Sequence, residues 1–269
     1  MIGRNEAKTA AAARAIMGET GRNAVSWEIA DLSRQDAVQE LAGRLRLRCP
    51  AIDVLVNNAG AVFAKREITA EGIERTFALN HLAYFTLTLL LLDGLVEAAL
   101  PHSPARVLCV SSRAHKDARL VLHDLQLERG YTGWRAYANS KLANVLFARA
   151  LAERVDPEKV IVHALHPGVV ATRFGLNNGR RGRLMRRIMD LVSVPPHEGA
   201  DTLVWLAACN DATHTNGGYW TKRTLTKPSA AARDRIVAES LWERSTELVH
   251  VDADALIAAA HASRPRLIA

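Results

Sequence analysis

Three short apolar runs, residues 53–56, 106–110 and 160–165, each lead into small or polar residues, with helical patterns between them. Runs of about five residues are too short for buried helices, and their lack of polar alternation says that both faces are covered. Strands that alternate with helices in this way build a parallel sheet flanked by helices on both sides. The expected fold class is therefore α/β, a doubly wound parallel sheet. Helical patterns cover residues 5–17, 35–48, 71–92, 137–154, 198–208 and 230–247, and further strands are expected at 25–30 and 218–220. At 269 residues the chain suits one domain with a sizeable core, spanning residues 1–250, and residues 251–269 read as a loosely attached tail.

Parallel sheets bind ligands at the carboxyl ends of their strands, and there this chain changes character. The run 53–56 passes into Asn57-Asn58-Ala59-Gly60, small residues that let a ligand approach the backbone, although Asn and Gly equally suit a plain turn. The run 106–110 ends in Ser111-Ser112, and 160–165 in His166-Pro167-Gly168, with Val170 and Thr172 just beyond. Tyr137 and Lys141 open a long apolar helical pattern four residues apart, so they share one helix face. A lysine ammonium beside a phenol favours the phenolate and lowers a pKa that is ordinarily about 10. Such a tyrosine exchanges a proton with an alcohol or carbonyl oxygen at moderate pH, and a serine hydroxyl from a strand end can hold the same oxygen. An amphipathic helix with one exposed lysine carries the same spacing. Asn80, within Phe77-Ala78-Leu79-Asn80-His81, is a polar residue in an apolar helical stretch, either a site residue or a solvent-facing one.

In this order and company, the segments resemble the short-chain dehydrogenase/reductase family, and within it the retinol-dehydrogenase-like branch. The likeness rests on Val110-Ser111-Ser112-Arg113-Ala114-His115, on Tyr137 through Asn144 with Val145-Leu146-Phe147, and on His166-Pro167-Gly168. Gly217-Gly218-Tyr219, Leu241-Trp242-Glu243-Arg244-Ser245 and the long interval between Ser112 and Tyr137 also fit that branch. The likeness covers residues 1–250 and implies a Rossmann-type single domain. It further implies an NADP-dependent oxidoreductase, with NAD as the alternative, that interconverts an alcohol and a carbonyl on a small hydrophobic molecule. By the same likeness Asn80, Ser112, Tyr137 and Lys141 form a catalytic tetrad, in which Asn80 holds a water that relays protons through Lys141. Asn58, Ala59 and Gly60 would lie along the adenosine, and Pro167, Gly168, Val170 and Thr172 would hold the nicotinamide, with Tyr137 and Lys141 also against the cofactor. Arg4 would pair with the 2′-phosphate, and Asp31 and Leu32 would lie by the adenine.

One part of that pattern is absent from these residues. The family opens on a strand, a Thr-Gly-x-x-x-Gly-x-Gly turn and a helix, whose backbone N–H groups and N-terminus cradle a pyrophosphate. No such glycine run occurs in the chain. The chain reads as starting at the end of the family's second strand, so the first βα unit is expected upstream of the stated start. Without it, a gap is expected in the middle of the sheet, with unpaired backbone groups on both sides.

Composition narrows the alternatives. Cys49, Cys109 and Cys209 are scattered, make no metal or disulfide spacing and suit a reducing cytoplasm. No signal peptide or membrane span is read, since the longest apolar run, residues 87–92, falls far short of about 20 residues. The net charge is +7, part of it in the arginine-rich stretch 180–187. That stretch suits a solvated helix turn or an anionic partner, and no nucleic-acid motif accompanies it. The resemblance allows a homodimer, and the sequence alone does not name the assembly. The competing function is a non-catalytic binding or partner subunit, because the pyrophosphate loop is not in the chain.

Overall fold

The computed structural model describes residues 1–168 and 196–262. Strand β1 (Ile2–Gly3), helix α1 (Glu6–Thr20) and strand β2 (Glu28–Ile29) come first, and the two strands form a parallel pair of their own. Asn5 caps α1 by accepting from the Lys8 N–H, and Gly21 closes it in a left-handed conformation, φ 66°. Helix α2 (Gln35–Arg48) has the expected bounds and buries Val38, Leu41 and Ala42.

The main sheet begins with β3 (Val54–Asn57), which pairs in parallel with β4 (Ala105–Val110), as β4 does with β5 (Val160–His166). Next come β6 (Gly218–Thr221), also parallel, and β7 (Thr224–Leu225), which folds back antiparallel. The order is β3-β4-β5-β6-β7, separate from β1-β2. The sheet thus divides where the sequence reading expects a gap. Among the described residues no strand pairs with the outer edge of β3, on which Val56 stands 38% exposed.

The centre of the sheet is covered on both faces, as its unbroken apolar runs require. Val107 and Cys109 of β4 face one apolar cluster, and Leu108 and Val110 face another. The first cluster packs under α3 (Arg75–Leu90), α4 (Leu92–Ala98), α5 (Gly133–Ala152), α7 (Arg235–Val249) and α8 (Ala253–Ala262), and the second under α6 (Pro196–Ala208). Each fully buried leucine, among them Leu142, Leu146 and Leu151 of α5, contributes about 2 kcal/mol of transfer free energy. Arg106 is the polar exception on β4. Its guanidinium is buried and donates to the Leu206 carbonyl at 3.0 Å and to Asn210 Oδ1 at 3.3 Å, which ties down the end of α6.

Four expectations need correction. The helical pattern 71–92 is two helices bent by 56°. The first begins only at Arg75, because the Glu74 carboxylate caps the N–H groups of Thr76 and Phe77, each at 2.8 Å. The break falls at Leu91, and Gly94 beyond it lies so close to the Pro50 carbonyl that a Cβ would stand 3.1 Å from it. Helix α5 starts at Gly133, before Tyr137, because Thr132 caps it and Gly133 sits against the Phe63 carbonyl, where a Cβ would come within 2.5 Å. Strand 25–30 shrinks to Glu28–Ile29, and β7 is added through Lys222 and Arg223, both at positive φ. The supposed loose tail contains α8, whose Ala253, Ile257 and Ala260 are buried in the main core.

Among the described residues no single helix is long and apolar enough to cross a membrane. The bent pair α3–α4 passes that test together, and its apolar side chains are accounted for by the core. The basic stretch 180–187 lies outside the described residues, as do Val170 and Thr172.

Candidate active site

Parallel pairing sets the carboxyl ends of β3, β4 and β5 along one edge, and the first half of α5 crosses it. Every third or fourth residue of α5 from Tyr137 is polar: Tyr137, Ser140, Lys141 and Asn144. All four are buried, at 9, 0, 3 and 0% exposure. This excludes the alternative of an exposed lysine on an amphipathic helix. Buried polar groups persist only with partners, and each of these has one.

Lys141 donates from Nζ to the Val110 carbonyl at 2.8 Å, and Ser111 Oγ donates to the Lys141 carbonyl at 2.7 Å. The ammonium lies over the ring faces of Tyr84 and Tyr137, 5.6 and 5.7 Å from their centroids. Burial pushes the Lys141 amine down to about 8. Tyr137 is hydrogen-bonded to the Ser112 hydroxyl, and burial raises its phenol above the ordinary value while Ser112 draws it back. The sequence reading expected the lysine to lower this pKa. Here Lys141 Nζ lies 5.7 Å from the centre of the Tyr137 ring, and Ser112 supplies the lowering contact.

Asn80 is fully buried, not solvent-facing. It sits in a π-helical turn, Ala78–Leu82, inside α3, where the Ala83 N–H reaches back to the Ala78 carbonyl. Such wide turns in helices are frequent at functional sites. Its side chain clasps the Gly60 loop: Oδ1 accepts from the Ala61 N–H at 2.9 Å, and Nδ2 donates to the Ala61 carbonyl at 2.9 Å and to Ser140 Oγ at 3.0 Å. Gly60 is correspondingly tight, since a Cβ there would lie 3.2 Å from Asn80 Oδ1 and 3.5 Å from Lys141 Nζ. The loop after β3 and the tetrad are therefore one site. Asn58 and Gly60 are exposed, and Ala59 is half-buried with its carbonyl accepting from Tyr84 OH at 2.9 Å.

Ser112 caps a 3-10 turn by accepting from the Ala114 N–H at 3.2 Å. Its carbonyl accepts from His115 Nδ1 at 2.7 Å, and His115 Nε2 accepts from the Ser229 N–H at 3.2 Å. Pro167 and Gly168 follow β5 on the same edge, Gly168 at φ 86°, a conformation that favours glycine. At the other sheet, Arg4 follows β1 and stands 4.0 Å from Asp31, which follows β2. Arg4 is 59% exposed. Burial opposes ionisation of Asp31, but the Ser33 hydroxyl and N–H, with Arg4, hold its carboxyl below the usual range. Leu32 is half-buried against the main core.

Tyr84, Ser111, Ser140 and Asn144 complete the site and were not singled out as site residues from the sequence. The last two were legible as members of the polar stripe on α5, whereas Tyr84 reads as an ordinary core aromatic. Among the described residues no cluster of His, Cys, Asp or Glu could hold a metal ion. The residues present suit the adenosine and ribose parts of a dinucleotide: a glycine approach at Gly60, an ammonium behind it, and an exposed guanidinium beyond β1. A glycine-rich pyrophosphate turn is not among them.

The family model for the short chain dehydrogenase matches residues 1–181. Retinol dehydrogenase 13 of Homo sapiens is 34% identical over 256 residues, 93% of this chain and 76% of the relative. Retinol dehydrogenase 12 of Mus musculus is 35% identical over 248 residues, 92% and 77%. Among solved structures, an uncharacterised protein from Mycobacterium paratuberculosis superposes with a TM-score of 0.67 at 28% identity, over 93% of this chain and 83% of that one. The Pseudomonas aeruginosa RhlG/NADP active-site complex gives 0.62 at 23% identity, over 81% and 82%, which speaks for the fold alone.

Proposed function

Since the chain belongs to the short chain dehydrogenase family, NAD(P)-dependent enzymes that interconvert alcohols and carbonyls, we propose that Tyr137, Lys141, Ser112 and Asn80 perform this chemistry on a small hydrophobic substrate, with NADP preferred. The observation that carries the reading is the buried stripe on α5 joined to the Gly60 loop through Asn80. Four polar side chains buried on one helix face at the strand ends, each held by a partner there, support this reading.

The bound cofactor supplies or accepts the hydride. This chain's own residues handle the proton. A Tyr137 phenol that stays protonated near neutral pH is set to donate to a carbonyl oxygen, and in the reverse direction it accepts the alcohol proton. Ser112, bonded to the same phenol, orients the substrate oxygen. Lys141, still mostly protonated at pH 7, fixes the local charge and offers N–H groups towards the Gly60 side, where a ribose would lie. Asn80 holds the Gly60 loop against the lysine and supports proton relay. Arg4, mostly exposed and only loosely engaged with Asp31, is suited to a 2′-phosphate, with Asp31 and Leu32 beside the adenine. Pro167 and Gly168, with Val170 and Thr172, would hold the nicotinamide end.

The retinol dehydrogenases among the relatives suggest a hydrophobic alcohol or aldehyde, and retinoids are one class to try. The test is NADPH and NADH titration followed by turnover with a carbonyl panel. Tyr137→Phe should bind cofactor as the parent does and lose turnover by at least about a thousandfold. Full activity in that variant would end the assignment. One observation favours a second reading, a partner or binding subunit: the sheet is divided between β1-β2 and β3. No NADPH consumption with any carbonyl, despite a folded chain, would select it.

A further inference from the structure

His81 follows Asn80 in the π-turn and is fully buried among Phe77, Phe85, Phe147 and Trp242. Its Nδ1 lies 3.2 Å from Asn144 Oδ1, and its Nε2 lies 3.0 Å from Ser245 Oγ on α7. The proton positions follow from donor and acceptor accounting. Asn144 Nδ2 donates to two carbonyls, Asn80 at 2.9 Å and Val110 at 3.3 Å. Its Oδ1 is then the atom that faces His81, and it can only accept, so His81 carries its proton on Nδ1. Burial among apolar rings keeps the ring neutral. Nε2 is therefore bare and must receive the Ser245 hydroxyl proton. With Ser245 in place, the space beside the ring holds no water molecule.

We propose that His81, Asn144 and Ser245 form a latch through which helix α7 positions Asn80, making His81 and Ser245 positioning residues for the reaction proposed above. The latch is continuous. Ser245 orients the His81 ring, and the ring orients the Asn144 amide. That amide grips the Asn80 carbonyl and shares the Val110 carbonyl with Lys141 Nζ. Asn80 then holds Ala61 by both its side-chain atoms. A displaced imidazole would shift the π-turn and with it the spacing of Gly60, Asn80 and Lys141. The inference rests on the proposed function for its catalytic consequence, but not for its geometry.

Ser245→Ala removes one hydroxyl and leaves Nε2 without a donor, and Ser245→Cys keeps a weaker donor with no added branch. In Ser245→Ala, kcat should fall between about threefold and a hundredfold, by a larger factor than cofactor Kd or KM rises. Ser245→Cys should recover part of the loss. A merely structural serine would lower the melting temperature and leave kcat per folded molecule unchanged, which overturns the latch. The second readout is the Ala61 amide in 1H–15N spectra, because Asn80 Oδ1 accepts its proton. Movement or faster exchange of that amide in Ser245→Ala supports the latch. An unmoved Ala61 amide, or a histidine spectrum placing the His81 proton on Nε2, overturns it. If the parent chain itself shows no turnover, the proposed function fails and these spectra alone decide the latch.

Discussion

A methyl group on Gly60 would press on Asn80 Oδ1, 3.2 Å away, and come into ordinary contact with Lys141 Nζ at 3.5 Å. Neither can easily yield, because each is fixed by a second bond, to Ala61 and to Val110 respectively. Gly60→Val is expected to weaken cofactor binding at least about tenfold, some 1.4 kcal/mol, and also to lower the unfolding midpoint, because the crowding is present without cofactor. Calorimetric titration with NADPH beside a urea curve checks both, and unchanged affinity would detach this loop from the site. Arg4→Glu should reduce NADPH affinity more than NADH affinity, because a carboxylate beside Asp31 repels the 2′-phosphate. Equal losses for both cofactors would remove Arg4 from that role. Tyr137, Lys141 and Ser112 stand out in the sequence by spacing and position at the ends of apolar runs, and Asn80 as a polar residue in an apolar helical stretch, while their roles come from the family resemblance. Their partners were harder to read. Tyr84 differs from a core tyrosine only in where its hydroxyl points, towards the Ala59 carbonyl, and no single-chain pattern encodes that.

Elements were read best where one local rule governs them. Helix α2 and strands β3 to β5 follow from periodicity, so their positions came within a residue or so. The division of α3 from α4 did not, because Leu91 is an ordinary helix former and the bend comes from Gly94 docking on Pro50, a distant contact. The start of α3 was readable in principle from Glu74 as a cap, but glutamate is a weak cap by type and acts here because it is buried. Glu74 is 1% exposed and also accepts from Tyr131 OH at 3.3 Å. Glu74→Ala would strand several buried donors, and a loss of about 2–4 kcal/mol is expected. A shift in urea midpoint measures it, and a loss under about 0.5 kcal/mol would show that α3 does not depend on this cap. Helix α8 was missed because its alanines make a weak pattern. Ile257→Ala should nevertheless cost about 2–3 kcal/mol, whereas a loose tail would register nothing.

At the scale of the whole molecule, buried bases set the response to acid. Burial pushes His81, His163 and His166 each down to about 4. Their folded values lie below the unfolded value near 6.5, so between about pH 6.5 and 4 the unfolded chain binds more protons. Stability should therefore fall as pH drops through that window, by at most about 3 kcal/mol for fully buried His81. Lys141 works the same way at higher pH. Its amine, at about 8 when folded, takes up less proton than the unfolded side chain, so stability should gain from about pH 8 to 9, above which the buried Cys109 thiol, pushed up to about 12, offsets the gain. Urea midpoints across pH 4.5–10 test both arms, and a flat profile from 7 to 4.5 would contradict the burial of these rings.

The division of the sheet has a practical consequence outside the chemistry. The outer edge of β3 presents backbone donors and acceptors with no strand against them among the described residues, next to an exposed valine. Such an edge is a template for foreign strands. Preparations of this chain should shed monomer on concentration and storage, in a second-order fashion. Val56→Lys, a gatekeeper charge placed on that rim, should lengthen shelf life without touching the tetrad.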